Sequence, residues 1–229
     1  GDMSGPKPMH RLLQGDVGCG KTIVALLAAL VAMENELQVA LMAPTELLAE
    51  QHYLSIRTLL ASSRFKTVLL TGSTATGPRR ETTRALACGK ANLAVGTHAL
   101  VQQRVRFREL GLVIIDEQHR FGVLERATLQ DKGRQPDVLV MTATPIPRTL
   151  ALTSYGDLDV SFIRDLPPQR RPIRTTVLPD SRRNNAYHFV EKALSEGRQA
   201  YVVYPLVTES EKSDLRAATA MFESLRTMF

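Results

Sequence analysis

The sequence predicts an α/β protein built on a doubly wound, mostly parallel sheet, on three observations. Short apolar runs alternate with longer helical stretches at the spacing of βαβ units. The string Gly15-Asp16-Val17-Gly18-Cys19-Gly20-Lys21-Thr22 fits G-x-x-x-x-G-K-[ST] between a strand-like run and a helix-like one, the setting that a phosphate-binding loop requires. Carboxylates and hydroxyls then recur just after later apolar runs, where a doubly wound sheet carries its ligand loops.

The elements follow in order. His10 to Gln14 reads as the first strand, and Ile23 to Met33 (IVALLAALVAM) as an Ala/Leu-rich helix. Further buried strands are expected at Gln38 to Ala43, Thr67 to Thr71, Asn92 to Thr97, Leu112 to Asp116 and Asp137 to Thr142. Helices are expected over Leu47 to Ala61, Pro78 to Cys88 and Gly122 to Gln130, the last followed by a loop from Asp131 to Pro136. A helix-like stretch, Thr149 to Tyr155, leads to Leu166-Pro167-Pro168-Gln169-Arg170-Arg171-Pro172, whose prolines and charges suit a linker.

The expected division is a first domain over residues 1–166, a linker over 167–172, and the start of a second α/β domain over 173–229. That second part reads as strands at Ile173 to Leu178 and Gln199 to Val207 around a helix from Asn184 to Glu196, then a helix from about Asp214 to Met228. It is too short to close a doubly wound domain, so the chain reads as ending inside that domain; a small covering subdomain is the alternative.

Composition narrows the class. Of 229 residues, 44% are hydrophobic and 23% charged, as in ordinary water-soluble α/β proteins. No run reaches the ~18 apolar residues of a membrane span, so no membrane partner is expected. No leader is legible in the opening residues, and two cysteines make no disulfide framework, so a reducing cytoplasmic setting is expected. A net charge of +6 and a pI near 9.6 suit a polyanionic partner such as nucleic acid. The clusters Arg79-Arg80, Arg104 to Arg108, Arg170-Arg171-Arg174 and Arg182-Arg183 read individually as solvated loops.

The motifs carry definite chemistry. Backbone N–H groups of Gly15, Asp16, Val17, Gly18, Cys19 and Gly20, with the N-terminus of the next helix, can cradle a nucleotide's phosphates. Lys21 would reach the β/γ-phosphates, and Thr22 would offer its hydroxyl to Mg²⁺, a cation that prefers oxygen ligands. Leu112-Val113-Ile114-Ile115-Asp116-Glu117-Gln118-His119 is an apolar strand that delivers two carboxylates. Asp116 would hold Mg²⁺ through water, and Glu117 would orient and deprotonate an attacking water. Alone, such a strand end reads equally well as solvated; on the same sheet as the phosphate loop it gains weight. His119 alone reads as an ordinary loop imidazole; beside these carboxylates it would relay between nucleotide and polymer sites. Thr142 and Thr144, beside the prolines of Met141-Thr142-Ala143-Thr144-Pro145-Ile146-Pro147-Arg148, would bond the end of the neighbouring strand.

G-x-x-x-x-G-K-T, D-E-Q-H and T-A-T-P at successive strand ends resemble motifs I, II and III of the superfamily 2 helicases and translocases. Ala43-Pro44-Thr45-Glu46-Leu47-Leu48 resembles motif Ia, Thr71-Gly72-Ser73 the T-G-S element, and Gly96-Thr97-His98 motif Ib. The resemblance covers nearly the whole chain. It implies a RecA-like P-loop NTPase domain that uses ATP and Mg²⁺ and grips DNA through Pro44, Thr45, Gly72, Ser73, Thr97 and His98. His119, Thr142 and Thr144 would couple the two sites. The run from His10 to Gly18, D-E-Q-H-R-F-G-V at 116–123, T-A-T-P-I-P-R-T-L at 142–150 and Y-G-D-L-D-V at 155–160 resemble the bacterial branched-DNA helicases within that superfamily. Branched DNA is then the expected partner.

A transcription-repair coupling translocase and a nucleic-acid-binding switch that holds ATP without hydrolysing it are the alternatives. A small-molecule kinase would leave residues 116–119 and 142–148 unexplained. The family also carries an adenine-reading segment before the phosphate loop and arginine fingers in its second domain, neither of which is found here. The chain is therefore expected to bind nucleotide weakly and turn over negligibly by itself; it is also expected to be a monomer.

Overall fold

Seven parallel strands form one sheet in the order β3-β4-β2-β5-β6-β1-β7, with helices on both faces. The computed structural model describes residues 2–5, 7–117, 132–133, 135–144, 158–165, 173–203 and 221–228. The strands are β1 (His10–Gly15), β2 (Gln38–Met42), β3 (Thr67–Leu70), β4 (Leu93–Gly96), β5 (Leu110–Asp116), β6 (Asp137–Thr142) and β7 (Asp159–Ile163). The helices are α1 (Lys21–Glu34), α2 (Glu46–Leu59), α3 (Thr76–Ala87) and α4 (Arg183–Ser195). The chain divides into two compact units, Gly1–Arg170 and Arg171–Phe229.

Alternation along the strands builds two cores, one on each face, because successive side chains point to opposite sides. Leu13, Val39, Leu41, Val95, Leu112, Ile114 and Met141 pack with α1 and α2 through Ala25, Ala29, Met33, Ala49 and Ile56. Leu12, Ala40, Met42, Val113, Ile115 and Val140 face the other way, onto Ala85 and Leu86 of α3 and onto Leu100. Both faces are covered, so the central strands are apolar throughout rather than half polar. Asp116 continues the alternation of Leu112 and Ile114, which assigns it to the α1/α2 side.

One polar side chain crosses this core with every bond made. Gln38, 3% exposed, donates from Nε2 to the carbonyls of Leu86 (2.9 Å) and Ala91 (2.7 Å), and its Oε1 accepts from the N–H groups of Arg108 and Glu109. It ties the start of β2 to the end of α3 and the entrance to β5. Replacement by leucine keeps the volume but removes four hydrogen bonds; Arg108 N–H still reaches the Leu86 carbonyl at 3.3 Å, whereas the Ala91 carbonyl and Glu109 N–H lose the bonds Gln38 gave them, at about 1–3 kcal/mol each, partly relieved by water. Gln38→Leu is therefore expected to lower the unfolding free energy by about 2 kcal/mol or more, read from the urea midpoint.

The structure agrees with the sequence on six strands and three helices of the first unit, with no end shifted by more than two residues. It adds β7, which the sequence reading placed only in a motif. β7 pairs with β1 from Arg11↔Asp159 to Gly15↔Ile163, and Arg11 donates to Ser161 Oγ at 2.6 Å and pairs with Asp159 at 3.4 Å. In the second unit α4 lies where a helix is expected. Residues 173–178 and 199–203 form no strand, with Val177 91% and Tyr201 89% exposed; extended chain becomes a strand only against a partner, and none occurs among the described residues. The expected elements at Gly122 to Gln130 and Thr149 to Tyr155 and the linker 167–172 lie outside the described residues. Of the final helix, residues 221–228 are described and are helical.

Candidate functional site

β1 ends at Gly15, and the loop that follows turns back on itself: Cys19 N–H donates to the Asp16 carbonyl at 3.2 Å, and Gly18 and Gly20 take φ values of 79° and 98°. A side chain at Gly15 would meet Cys19 Sγ at 2.5 Å and the backbone oxygen of Ile163 at 3.2 Å, so β7 and the loop both demand glycine there. Gly20 is the N-cap of α1, and no side chain caps that helix. The first N–H groups, of Lys21 and Thr22, thus have no side-chain acceptor and stand at the positive end of the helix dipole. Lys21 Nζ donates to the carbonyls of Gly15 at 2.7 Å and Asp16 at 3.0 Å, which draws the ammonium over the loop. Thr22 is the second residue of α1.

Two strands away stands the carboxylate pair. β6 lies between β1 and β5, so at ~4.8 Å per strand the end of β5 is about 10 Å from the phosphate loop. Asp116 Oδ2 accepts from His52 Nε2 of α2 at 2.7 Å, both side chains being some 14% exposed or less. An ionised carboxylate only accepts, so Nε2 carries the proton. Glu117 adopts φ 50°, the left-handed region that costs a non-glycine residue energy and is found where function holds it. The strain is held from β6: Glu117 N–H donates to the Met141 carbonyl at 3.0 Å, and Ala143 N–H donates to Glu117 Oε1 at 3.3 Å.

The threonines of T-A-T-P behave differently from the expectation. Thr142 and Thr144 hydroxyls bond each other at 2.9 Å, and Thr142, 1% exposed, also accepts from Thr144 N–H. These bonds close a local turn, and the contact to the neighbouring strand is made instead by the Ala143 backbone. Gln14 reaches the same turn, its Nε2 donating to the Thr144 carbonyl at 3.3 Å. His119 lies outside the described residues.

A second cluster forms at the ends of β2, β3 and β4. Thr45 caps α2 by accepting from Leu48 N–H, with Pro44 just before it. Glu46, the first residue of α2, accepts from Ser73 N–H at 2.9 Å and from the Ser73 hydroxyl at 2.6 Å. Those two bonds, hydroxyl first, hold the Glu46 carboxyl below its ordinary 4.5, with a smaller contribution from nearby His98. The contact therefore persists throughout the neutral range and opens only in acid. Gly72, Ser73 and His98 are exposed. Thr97, the residue after the fully buried β4, is 2% exposed with its hydroxyl buried, so its side chain is beneath the surface while His98 stands on it.

Three contributors were not singled out from the sequence. Arg79, grouped there with solvated arginines, donates to the carbonyls of Thr71, Gly72 and Thr74 and to Gln102, and so braces the T-G-S turn. Glu46 is the partner of Ser73. His52 carried one usable signal: it falls between Ala49 and Ile56 on the buried stripe of α2, a position where a polar ring needs a partner.

The donor set suits a nucleotide with Mg²⁺. An uncapped helix start and one ammonium can receive phosphates, and Thr22 and Asp116 supply hard oxygens. Among the described residues no group of three His, Cys, Asp or Glu side chains is placed to hold a metal, so such an ion would draw its remaining oxygens from phosphate and water. Also among them, no helix is long and apolar enough to cross a membrane.

Comparison with known proteins places these features in context. Residues 6–153 match the DEAD/DEAH box helicase family. The chain is 54% identical over 217 residues to an ATP-dependent DNA helicase RecG from Synechocystis sp., covering 95% of this chain and 26% of that protein. It is 51% identical to the Escherichia coli ATP-dependent DNA helicase RecG, covering 98% of this chain and 33% of that protein. A solved structure of RecG bound to a three-way DNA junction superposes with a TM-score of 0.80 at 44% identity, covering 99% of this chain and 29% of that one. The chain thus spans about a quarter to a third of the length of these relatives.

Proposed function

Because the chain belongs to the DEAD/DEAH box helicase family, we propose that residues 1–166 are the first motor domain of an ATP-dependent DNA helicase of RecG type that acts on branched DNA. In this reading residues 167–172 are a linker and 173–229 begin the second motor domain. The observation that carries it is the placement at one sheet edge of the phosphate loop after β1, the carboxylates after β5 and the threonine turn after β6, with the 45–46, 72–73 and 98 cluster beside them on β2, β3 and β4.

Each group has a physical task. Loop amides and the α1 N-terminus receive the phosphates, and Lys21 turns from the Gly15 and Asp16 carbonyls toward them. Mg²⁺ would neutralise charge on the phosphates, held by Thr22 and, through water, by Asp116. Glu117 takes the proton from the attacking water, its carboxylate aimed by Ala143 N–H. The surface of Gly72, Ser73, Thr45 and His98 offers amides and hydroxyls to a DNA backbone, contacts that bind any base sequence, as a stepping motor requires. The similarity to RecG, one structure of which is bound to a three-way junction, supports a branched substrate.

The test is strand separation by the full-length gene product on a synthetic fork and on a matched linear duplex, with ATP. Separation of the fork but not the duplex, lost in Lys21→Ala, is the expected result. Hydrolysis on linear duplex without separation would replace this reading with a translocase.

A further inference from the structure

Asp116 is held from outside the nucleotide motifs. Its Oδ2 is 2.7 Å from His52 Nε2, and His52 belongs to α2, the helix whose first turn makes the other cluster through Thr45 and Glu46. From Thr45 to His52 is seven residues, two turns and about 10 Å of one rigid helix. Its inner face packs through Ala49 at 0% and Ile56 at 1% exposure, so one continuous packed helix joins the first turn to His52. Ser73 offers a backbone N–H and a hydroxyl to the Glu46 carboxylate, the donor pair that would hold a phosphodiester oxygen. A strand phosphate there would compete with the Glu46 carboxylate for those donors and free the start of α2 from Ser73.

We propose that His52 is a positioning residue for Asp116, through which α2 makes the metal requirement of the nucleotide site depend on whether a DNA strand occupies the Glu46–Ser73 cluster. The proposal rests on the nucleotide and DNA assignments above. The His52 bond fixes the orientation of the Asp116 carboxylate, whose remaining lone pairs would be available to a water of Mg²⁺. Outer partners of this kind orient a ligand, and their loss commonly costs 10–100-fold in metal affinity.

The experiment measures binding without turnover. The full-length product is titrated with Mg²⁺ in the presence of a fluorescent non-hydrolysable ATP analogue, with and without single-stranded DNA, and the Mg²⁺ concentration at half-saturation is read. In the wild type, DNA is expected to shift that concentration. In His52→Ala it should rise about tenfold and no longer respond to DNA. His52→Gln, which places an amide N–H close to the Nε2 position, should recover both properties, and unchanged melting temperatures of the nucleotide-free variants exclude a folding effect. A His52→Ala protein with the wild-type Mg²⁺ requirement, or with the wild-type response to DNA, overturns the proposal, as does a wild type that DNA does not shift. Lys21→Ala separates the two levels. If wild-type binding is strong and lost in Lys21→Ala while His52→Ala is unchanged, only the role of His52 fails. If nucleotide binding ignores Lys21, the parent assignment fails and this one falls with it.

Discussion

Lys21→Ala is expected to lower ATP hydrolysis by the full-length product about 10²–10³-fold, the usual cost of removing one preorganised donor from developing charge, and to abolish strand separation. Among the described residues Lys21 Nζ is held by the Gly15 and Asp16 carbonyls, at 2.7 and 3.0 Å, and no carboxylate pairs with it. A phosphate oxygen can take its place beside those carbonyls without breaking an ion pair, so the charge is available to the ligand at little cost. Alanine loses both the charge and the two bonds that fold the side chain over the loop. The loop itself should survive, because its shape comes from Gly15, Gly18 and Gly20 and from the Cys19 to Asp16 bond. Steady-state hydrolysis with the melting temperature as control reads the two effects apart. Hydrolysis within twofold of wild type would show that the loop does not hold the reacting phosphates.

The parts of this site that could be read from sequence are those whose chemistry is local. A phosphate loop is contiguous, and its glycines, lysine and threonine must occur at fixed spacing, so the motif appears in one dimension. Buried parallel strands such as β2 and β5 are equally legible, since covering both faces makes them apolar at every position. β7 fails that rule: as an edge strand it pairs only with β1, carries Asp159 and Ser161, and has no fully buried residue. Its polar positions read as loop until Arg11 is seen to meet both.

Long-range partners are the other illegible class. His52 and Asp116 are 64 residues apart, and Glu46 and Ser73 are 27 apart. Only the strand order, with β2 between β4 and β5, brings α2 close to both ends of that list. The burial of Thr97 was illegible for a different reason. A threonine after a strand is compatible with either side of the surface, and the choice was made by the burial of all four residues of β4 before it.

Glu117→Gln should separate binding from chemistry. Proton abstraction by a positioned base is worth roughly 10²–10⁴-fold, and an amide cannot accept that proton, so hydrolysis is expected to fall by that factor. Nucleotide affinity should stay within about twofold, because Lys21, Thr22 and Asp116 are untouched. The substitution is also structurally conservative at the two points where Glu117 is constrained. Its N–H still donates to Met141, and a glutamine carbonyl oxygen can still accept from Ala143 N–H at the 3.3 Å separation that the carboxylate has now. The left-handed backbone, φ 50°, costs glutamine about what it costs glutamate, so no folding change should confuse the result. Single-turnover hydrolysis against equilibrium nucleotide binding makes the comparison. A variant that hydrolyses as fast as its parent would remove Glu117 from the role of base. One that loses binding in proportion would mean that the carboxylate shapes the phosphate site rather than serving the attacking water.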